Sequence, residues 1–599
     1  MSGAKLINQK NRSMKNRKLL IKHNGIFCGL TVAVLVFWYS PIQTHASEHT
    51  VITDEYSLPE LIQIIEQDMA ALNRRYSVRH SHEYFERFEI FFTSWLGRLE
   101  SINFSGLSFD DQVDYILLQN HIRRTAYFTG RDKELFHFVL QWLPDLDEIM
   151  DFINDRRYGT KPDARQIAIR MDEWTRQIET IRRQLESSGP LLKWQAEATH
   201  YALDDIQAAL EDAYTFYNGY DIEFTWWAEQ PFSKLNKTLS DYSEWVHTYF
   251  DTEAEQMDDS GIVGNPIGRD EIIRRLEFEM IDYTPEELIE IAEHQFAKAE
   301  ENMRLVAAEL GYGDNWLATL EHVKQAYVEP GMKPELIMRL YHESVDFIEE
   351  RNLITIPDLV KEVWRMQMMT PERQLINPFF TGGEVISISY PTHTMDHEAK
   401  LMSLRGNNPH FNRATVQHEL IPGHHLQMFM NRRHKSYRAP FRTPFWLEGW
   451  ALYWELLLWD LGFAETPEDK AGMLFWRSHR YARIIFSLNY HLGNWSPQQC
   501  IDYLVERVGH EYDNAEAEVR RSFAGNYDPL YQVAYMIGGM QIYSLYKDVV
   551  DTGQMKAPDF HDTILKEGSI PIRLVKAILT GEELQPGELP EWNFAKYIY

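Results

Sequence analysis

The sequence predicts a mainly α-helical protein, a multi-helix bundle with one small β element. Two observations predict the helices: apolar residues recur every three to four positions over long stretches, and capping patterns precede several of those stretches. A third observation, one short alternating stretch, predicts the β element. Because 44% of the 599 residues are apolar, the chain can form a packed interior, which excludes a disordered protein.

The first 46 residues predict an export signal. Seven Lys and Arg with no acidic residue are followed by an apolar run at residues 26–39 and by the small-residue ending Thr44-His45-Ala46. The alternative is a membrane anchor formed by residues 26–39, although this run is shorter than the roughly 20 residues that span a bilayer. We therefore predict an exported protein, periplasmic or extracellular, that contacts a membrane only if the leader stays uncleaved.

Charge and cysteine content exclude other classes of protein. Removing a leader with seven positive residues takes the formal net charge from −29 to −36, and so acidic a protein does not favour nucleic-acid binding. Cys28 lies in the leader, so Cys500 is the single cysteine expected in the processed chain. An internal disulfide and a thiolate metal cluster are then excluded, and His, Asp or Glu must hold any metal.

The sequence predicts two helical domains. The stretch Leu203 to Ala213 repeats apolar residues at helical spacing, and Thr284-Pro285-Glu286-Glu287 has the pattern of a capping box with proline at the first helical position. Between them, the glycine- and proline-containing stretch Gly264–Gly268 is the best linker candidate. We therefore predict an amino-terminal helical domain at residues 47–265 and a second helical domain at residues 266–599.

The small β element is predicted at Glu384–Tyr390. Ile386, Ile388 and Tyr390 alternate there with serines, after two glycines, as in a strand with one buried face. The edge of this strand could bind an extended peptide through backbone hydrogen bonds. An ordinary solvent-covered edge explains the pattern equally well.

HELIPGHHLQ at residues 418–427 begins like a zinc-binding H-E-x-x-H helix but has proline where the second histidine is expected. On a regular helix His424 would lie about 240° and 9 Å from the first histidine, and His425 about 10.5 Å away, so neither could share a metal ion with it. Pro422 and Gly423 predict a kink or bulge. A bulge of two residues would bring His424 to the metal, and His425 remains the alternative ligand.

A third ligand is predicted from EGWALYWE at Glu448–Glu455, which has the composition of a buried helix. Glu448 at the start of such a helix could complete a site of two histidines and one glutamate, with one position open for water. Zinc, manganese and cobalt all suit these ligands. A helix cap or an ion pair with arginine explains Glu448 equally well from spacing alone.

Both stretches resemble a bacterial family known as domain of unknown function 885, whose motifs H-E-x-x-P-G-H-H-x-Q and E-G-W-A-x-Y-x-E stand here unbroken. The likeness covers most of residues 265–599. It implies a gluzincin-like zinc metallopeptidase with a catalytic domain at residues 266–599 and the small β element near the active-site cleft. The implied site consists of one Zn2+ per chain held by His418, His424 and Glu448, Glu419 as the general base, and Tyr535 as the hydroxyl that stabilises the oxyanion.

The chain departs from the family pattern close to this site. Ser487 and Asn489 stand ahead of His491 where the family has an Asp and a Gly, and Pro529–Tyr535 replaces the family stretch P-G-Q-A-L-S-Y. These departures leave the substrate specificity and the role of Tyr535 open.

The predicted function is peptide hydrolysis by metal-activated water in an exported, zinc-dependent peptidase. Arginines that could hold a peptide's terminal carboxylate, together with strand residues that could bind its backbone, are the candidates for substrate binding. They are Arg521, Arg520, Arg480 and Arg483, and Ile388 and Tyr390. Two alternatives remain: a non-catalytic exported binding or scaffolding protein on the same fold, and a metal-dependent amidase acting on cell-wall peptides. The sequence does not determine endo- or exopeptidase action or the oligomeric state.

Overall fold

Helices account for most of the chain in the computed structural model, which describes residues 56–252, 256, 258–376, 381–524, 527–587 and 591–597. Two short strands form the sheet within these residues. The mainly α-helical prediction is therefore confirmed. In the same residues, no helix combines the length and the apolar character needed to cross a membrane. The predicted export signal at residues 1–46 and the alternative anchor at residues 26–39 lie outside the described residues.

The amino-terminal half consists of long helices, most of which surround a core of their own. These helices are α1 (Leu58–Arg75), α2 (His82–Glu100), α3 (Phe109–Val139), α4 (Leu146–Arg157), α5 (Ala164–Ser188), α6 (Lys193–Tyr217) and α7 (Ile222–His247). Both α5 and α6 pack along α7, around buried residues that include Trp174, Leu203 and Tyr242. The helix predicted around Leu203 is confirmed as part of α6.

The carboxy-terminal half contains shorter helices and the sheet. Its first elements are α8 (Arg269–Phe278), α9 (Pro285–Glu309), α10 (Trp316–Lys324), α11 (Lys333–Glu350), α12 (Asp358–Val363), β1 (Arg365–Met368), α13 (Pro371–Ile376), β2 (Val385–Ile388) and α14 (His397–Gly406). They are followed by α15 (Pro409–Glu419), α16 (His424–Asn431), α17 (Pro444–Asp460), α18 (Pro467–His491), α19 (Pro497–Tyr503), α20 (Tyr512–Phe523), α21 (Tyr531–Val549), α22 (Ala557–Lys566) and α23 (Ile572–Thr580). The predicted capping box is confirmed at the start of α9, where Thr284 and Glu287 each accept a hydrogen bond from the other's backbone N–H.

A second hydrophobic core joins the first three helices to the carboxy-terminal half. Leu61 and Val113 belong to the same buried cluster as Trp450. Arg438 Nε donates a hydrogen bond at 2.6 Å to the buried carboxylate of Asp114 on α3. All described residues lie within one compact unit, residues 52–599. The domain boundary near residue 265 stays a prediction.

The sheet consists of β1 and β2 in parallel. The strand predicted at Glu384–Tyr390 is present but shorter, because Gln374 Oε1 accepts hydrogen bonds from the Ser389 hydroxyl and from the backbone N–H of the next residue. Part of the outer edge of β2 is also occupied, since Ser387 and Thr381 exchange backbone hydrogen bonds of 2.8 and 3.3 Å. A peptide could therefore not pair with this edge at Ser387.

Glycines bring the helices of the carboxy-terminal half into backbone contact. A Cβ at Gly449 on α17 would overlap the backbone of Gly538 on α21, and a Cβ at Gly538 would overlap the carbonyl oxygen of Phe445. A Cβ at Gly472 on α18 would likewise overlap the carbonyl group of His410 on α15. Only glycine permits such close approach, so these residues determine the spacing of the four helices.

Candidate metal centre

The HELIPGHH motif forms an interruption between two helices. α15 ends at Glu419 and α16 begins at His424, so residues 420–423 lie outside both. A Cβ at Gly423 would overlap the carbonyl group of His418, which explains why glycine follows the proline. The expected departure from a regular helix is therefore present, but as a loop between two helices instead of a bulge within one. A proline without an N–H cannot continue the first helix.

Three side chains from this motif and from α17 converge on one point. The candidate ligand atoms of His418, His424 and Glu448 all lie within 4.8 Å of one another. His418 Nε2 is 3.7 Å and His424 Nε2 is 3.3 Å from Glu448 Oε2. The three residues are 2%, 9% and 7% exposed. Such a buried set of two imidazoles and one carboxylate is the donor set of many catalytic zinc sites.

Two hydrogen bonds determine which nitrogen of each imidazole faces Glu448. Nδ1 of His418 donates to Glu455 Oε1 at 2.7 Å, and Nδ1 of His424 donates to Gln427 Oε1 at 3.0 Å. The side-chain amide nitrogen of Gln427 donates at 2.9 Å to a backbone carbonyl of α17. The side-chain oxygen of Gln427 is therefore the atom that accepts the hydrogen bond from His424. Both Nε2 atoms are therefore left to face Glu448, as in metal sites whose histidines are held by a second hydrogen bond.

His425 does not take part in this convergence. Its Nε2 lies 2.8 Å from the carbonyl oxygen of Val360 on α12, and its side chain is buried there. Adjacent residues of a helix point about 100° apart, so His424 and His425 cannot face the same group. Of the two alternatives that the sequence left open, the structure brings His424 to Glu448.

Glu448 lies in the second turn of α17 and does not cap the helix. α17 begins at Pro444, one turn before the predicted start, because the hydroxyl of Thr443 accepts a hydrogen bond from Phe445 N at 3.1 Å. Oε1 of Glu448 accepts a hydrogen bond from the Tyr531 hydroxyl at 2.5 Å. Oε2 has no hydrogen-bond partner among the described residues and faces both histidines. A buried carboxylate oxygen left in this way fits a bound cation.

In the metal-free protein, the opposite charges of the histidines and Glu448 shift the pKa values of these groups. Burial would lower the pKa of His424, but the adjacent Glu448 outweighs it and raises that pKa to about 9. Burial would likewise raise the pKa of Glu448, yet His424 and His418 hold it well below its usual range. Burial raises the pKa of Glu419. A dication bound by His424 would have to displace the proton that this raised pKa places on its imidazole.

The convergent side chains open onto a cavity of about 300 Å³, here called the metal-site cavity. Glu419 lies in its wall beside the loop that precedes β2. A Cβ at Gly382 would overlap the Glu419 carboxylate, and Gly383 N donates to the Glu419 carbonyl at 3.1 Å. The small β element therefore lies next to the cavity and holds Glu419 in its wall.

Two tyrosines of α21 line the metal-site cavity. The ring of Tyr535 lies 6.4 Å from that of His418, and the guanidinium groups of Arg480 and Arg483 lie 4.7 and 4.5 Å from its centre. Tyr531, which contacts Glu448, was not among the predicted site residues. Its position one helical turn before Tyr535, within the stretch that departs from the family pattern, is the signal that could have identified it.

The predicted substrate-binding residues are separated by the structure. Arg521 lines the metal-site cavity. Arg520 points away and pairs with Glu516 at 2.5 Å on the exposed surface. Ile388 is buried in the hydrophobic core, and Tyr390 lines a different cavity. The candidates Arg480 and Arg483 also line this cavity. The structure thus brings three of the four candidate arginines together with the predicted catalytic and metal-binding residues, and leaves Arg520, Ile388 and Tyr390 outside.

Comparisons with known proteins agree with this fold. Residues 68–579 match the model of a family described as "Bacterial protein of unknown function (DUF885)". No curated protein matches the sequence. One similar solved structure, described as that of "a putative lipoprotein of unknown function from Shewanella oneidensis", is 16% identical with a TM-score of 0.63, over 87% of this chain and 99% of that one. Another, "the putative lipoprotein from Colwellia psychrerythraea", is 16% identical with a TM-score of 0.52, over 88% and 98%.

Proposed function

This chain belongs to the bacterial DUF885 family, and we propose that it is an exported, zinc-dependent peptidase in which Glu419 is the general base. One observation carries the proposal. His418, His424 and Glu448 converge in a cavity wall, each imidazole is held through Nδ1, and Glu419 lies directly beside the first ligand. A binding protein would need the cavity but not a carboxylate beside the metal ligands.

The proposed ligands are His418 Nε2, His424 Nε2 and Glu448 Oε2, with one zinc ion per chain. When bound, zinc lowers the pKa of a water molecule and polarises a carbonyl group. The same donors suit manganese or cobalt, so the assignment to zinc rests on the frequency of this donor set in zinc hydrolases.

The catalytic groups of the chain itself have separate tasks. Glu419 accepts a proton on its carboxylate from the attacking water and passes it to the leaving nitrogen. Burial, which raises the pKa of Glu419, makes its carboxylate a better proton acceptor. Tyr535 donates a hydrogen bond to the oxygen that becomes negative, and burial, which raises the pKa of its hydroxyl, keeps the proton in place. The removal of one such donor typically costs about 10²–10³ in kcat.

Export is part of the proposal. The basic and apolar leader predicts it, and the printed descriptions "putative lipoprotein" of the two similar solved structures are consistent with it. Substrates would then be peptides outside the cytoplasm.

The proposal is tested by measuring zinc content and peptide hydrolysis on purified protein. We expect about one zinc per chain, lost in His424→Ala and retained in His425→Ala, which changes the neighbouring buried histidine. Glu419→Gln should retain zinc and lose at least about 10³-fold in kcat for a peptide library. A parent protein that takes up no metal, or a Glu419→Gln variant as active as the parent, would refute the proposal.

A further inference from the structure

Three arginines form one wall of the metal-site cavity. Arg480 and Arg483 lie three residues apart on α18, and Arg521 projects from α20. Their side chains are 7%, 4% and 15% exposed, so water screens their charges poorly. Buried guanidinium groups require anionic partners or aromatic faces.

Among the described residues, these three arginines form ion pairs with two carboxylates, those of Glu455 and Glu518. Glu518 accepts from Arg483 Nε at 2.7 Å and pairs with Arg521 Nε at 2.8 Å, so one carboxylate serves two guanidinium groups. Arg480 is 3.6 Å from Glu455, whose nearer partner is His418. Among the described residues, Arg483 Nη1 and Arg480 Nε are buried without a hydrogen-bond partner.

Aromatic rings compensate part of the positive charge of these arginines. Arg480 and Arg483 lie over the ring of Tyr535, and Arg521 lies 5.4 Å from that of Tyr527. These tyrosines line the same cavity as the three arginines, so a group that enters the cavity can contact both. Planar guanidinium groups bind carboxylates through paired hydrogen bonds.

We propose that Arg480, Arg483 and Arg521 bind the α-carboxylate of the peptide substrate, so that the protein removes short fragments from the carboxyl end of peptides. This inference rests on the proposed peptidase function. Arg480 reaches Glu455, which contacts His418, so the arginine wall begins one side chain away from a metal ligand. A cavity of about 300 Å³ is at the small end of ligand sites, which suits a short fragment beyond the cleaved bond. Each cleavage consumes one water, and the released fragment keeps the original carboxylate.

The test compares one short peptide in two forms, with a free α-carboxylate and with a terminal amide. Both are titrated calorimetrically into zinc-loaded Glu419→Gln protein, which should leave them intact. We expect the acid to bind at least about tenfold more tightly than the amide, because its carboxylate forms charge-assisted hydrogen bonds with the arginines. Equal affinities, or no binding of either peptide, would overturn the inference.

A bound metal could attract the carboxylate by itself, so the comparison is repeated on metal-free protein and on two matched variants. The preference for the acid should persist without metal, fall at least about fivefold in Arg521→Gln, and stay unchanged in Arg520→Gln, which alters the exposed neighbour. If the preference for the acid disappeared without metal, the metal would be its cause. If the preference were equal in both variants, Arg521 would not be the residue that binds the carboxylate. Inorganic phosphate competing as well as the peptide acid would overturn the assignment to a peptide carboxylate.

Failure of this inference can be distinguished from failure of the proposed function. If the acid and amide peptides were hydrolysed equally, the proposed peptidase function would stand and the proposed carboxylate-binding site would be wrong. If the protein hydrolysed neither peptide but still bound the acid more tightly, the carboxylate-binding site would stand and the proposed peptidase function would be wrong.

Discussion

Glu455 Oε1 and His418 Nδ1 lie 2.7 Å apart, although 37 positions separate these residues in the sequence. Both side chains are buried, so water does not compete for this hydrogen bond. The carboxylate orients the imidazole and makes its other nitrogen a stronger donor to a metal. Glu455, which the sequence motif contains without an assigned role, is therefore a positioning residue of the candidate metal centre.

Replacing Glu455 should weaken metal binding without removing a ligand. In Glu455→Gln we expect zinc affinity to fall about 10- to 100-fold, because a neutral amide neither orients nor polarises His418 as a carboxylate does. Affinity is measured by competition with a chromogenic chelator. The control is Glu468→Gln, which changes a partly exposed glutamate 3.8 Å from His322 and should leave zinc affinity unaltered. Identical affinities in parent and Glu455→Gln would contradict the role given to Glu455.

Tyr531 should contribute to metal affinity through Glu448. Tyr531→Phe removes the hydroxyl that donates to Glu448 Oε1 at 2.5 Å, and we expect zinc affinity to fall about tenfold or more because the carboxylate is no longer held. Tyr543→Phe is a close match, since Tyr543 on the same helix donates at 2.6 Å to Asp460, also on α17, but at the exposed surface. If both variants bound zinc equally well, the contact with Glu448 would have no bearing on the metal.

Zinc binding should strengthen as the pH rises. The pKa of His424 in the metal-free protein is raised to about 9, because Glu448 outweighs the effect of burial. His424 is therefore protonated at neutral pH and must release its proton to bind metal, so affinity should rise up to about tenfold per pH unit below that pKa. Calorimetric titration between about pH 6.5 and 8.5, in buffers of different ionisation enthalpy, measures both the affinity and the proton release. An affinity that is constant over this range would show that no ligand carries a proton.

Gly538 should be essential for the packing of α17 against α21. In Gly538→Ala the new Cβ would overlap the carbonyl oxygen of Phe445, and the helices must separate. We expect the free energy of unfolding to fall by about 2 kcal/mol, within the range for overpacked cores. Because α17 carries Glu448 and α21 carries Tyr531, zinc affinity should fall as well.

The control for this substitution is Gly97→Ala in α2, where a Cβ would meet no atom within 4 Å. It should raise the free energy of unfolding by about 0.5–1 kcal/mol, since alanine favours a helix. Both values are measured by urea denaturation followed by circular dichroism. Equal effects of the two substitutions would mean that the close contact at Gly538 does not determine the helix spacing.

Local patterns in the sequence predicted much of the fold correctly. Helices are present where the capping box at Thr284 and the apolar repeat around Leu203 predicted them. Such patterns are reliable because caps and helical periodicity depend on residues only three or four positions apart. Pro422 likewise indicated that the helix after the first histidine could not be regular. The strand was predicted too long, because the side chain of Gln374, ten or more residues away, binds its end.

The substrate-binding residues were less predictable. Arg520 and Arg521 are neighbours with the same chemistry, yet only Arg521 faces the cavity, since adjacent helical residues diverge by about 100°. Ile388 faces the core because the sheet packs on that side. For the adjacent arginines, no local pattern distinguishes the side chain that faces the cavity from the one that faces the solvent.

The sequence by itself determined the residue types of the candidate site, the interruption at Pro422 and the class of the fold, because these follow from local sterics and from motifs that stand unbroken in the chain. The tertiary structure decided which groups meet. It brought His424 rather than His425 to Glu448, placed Tyr531 on the same carboxylate, and gathered the arginines of α18 and α20 around one cavity. These distances depend on how closely helices far apart in the sequence can pack, and the glycines of α17 and α21 determine that spacing for two of them.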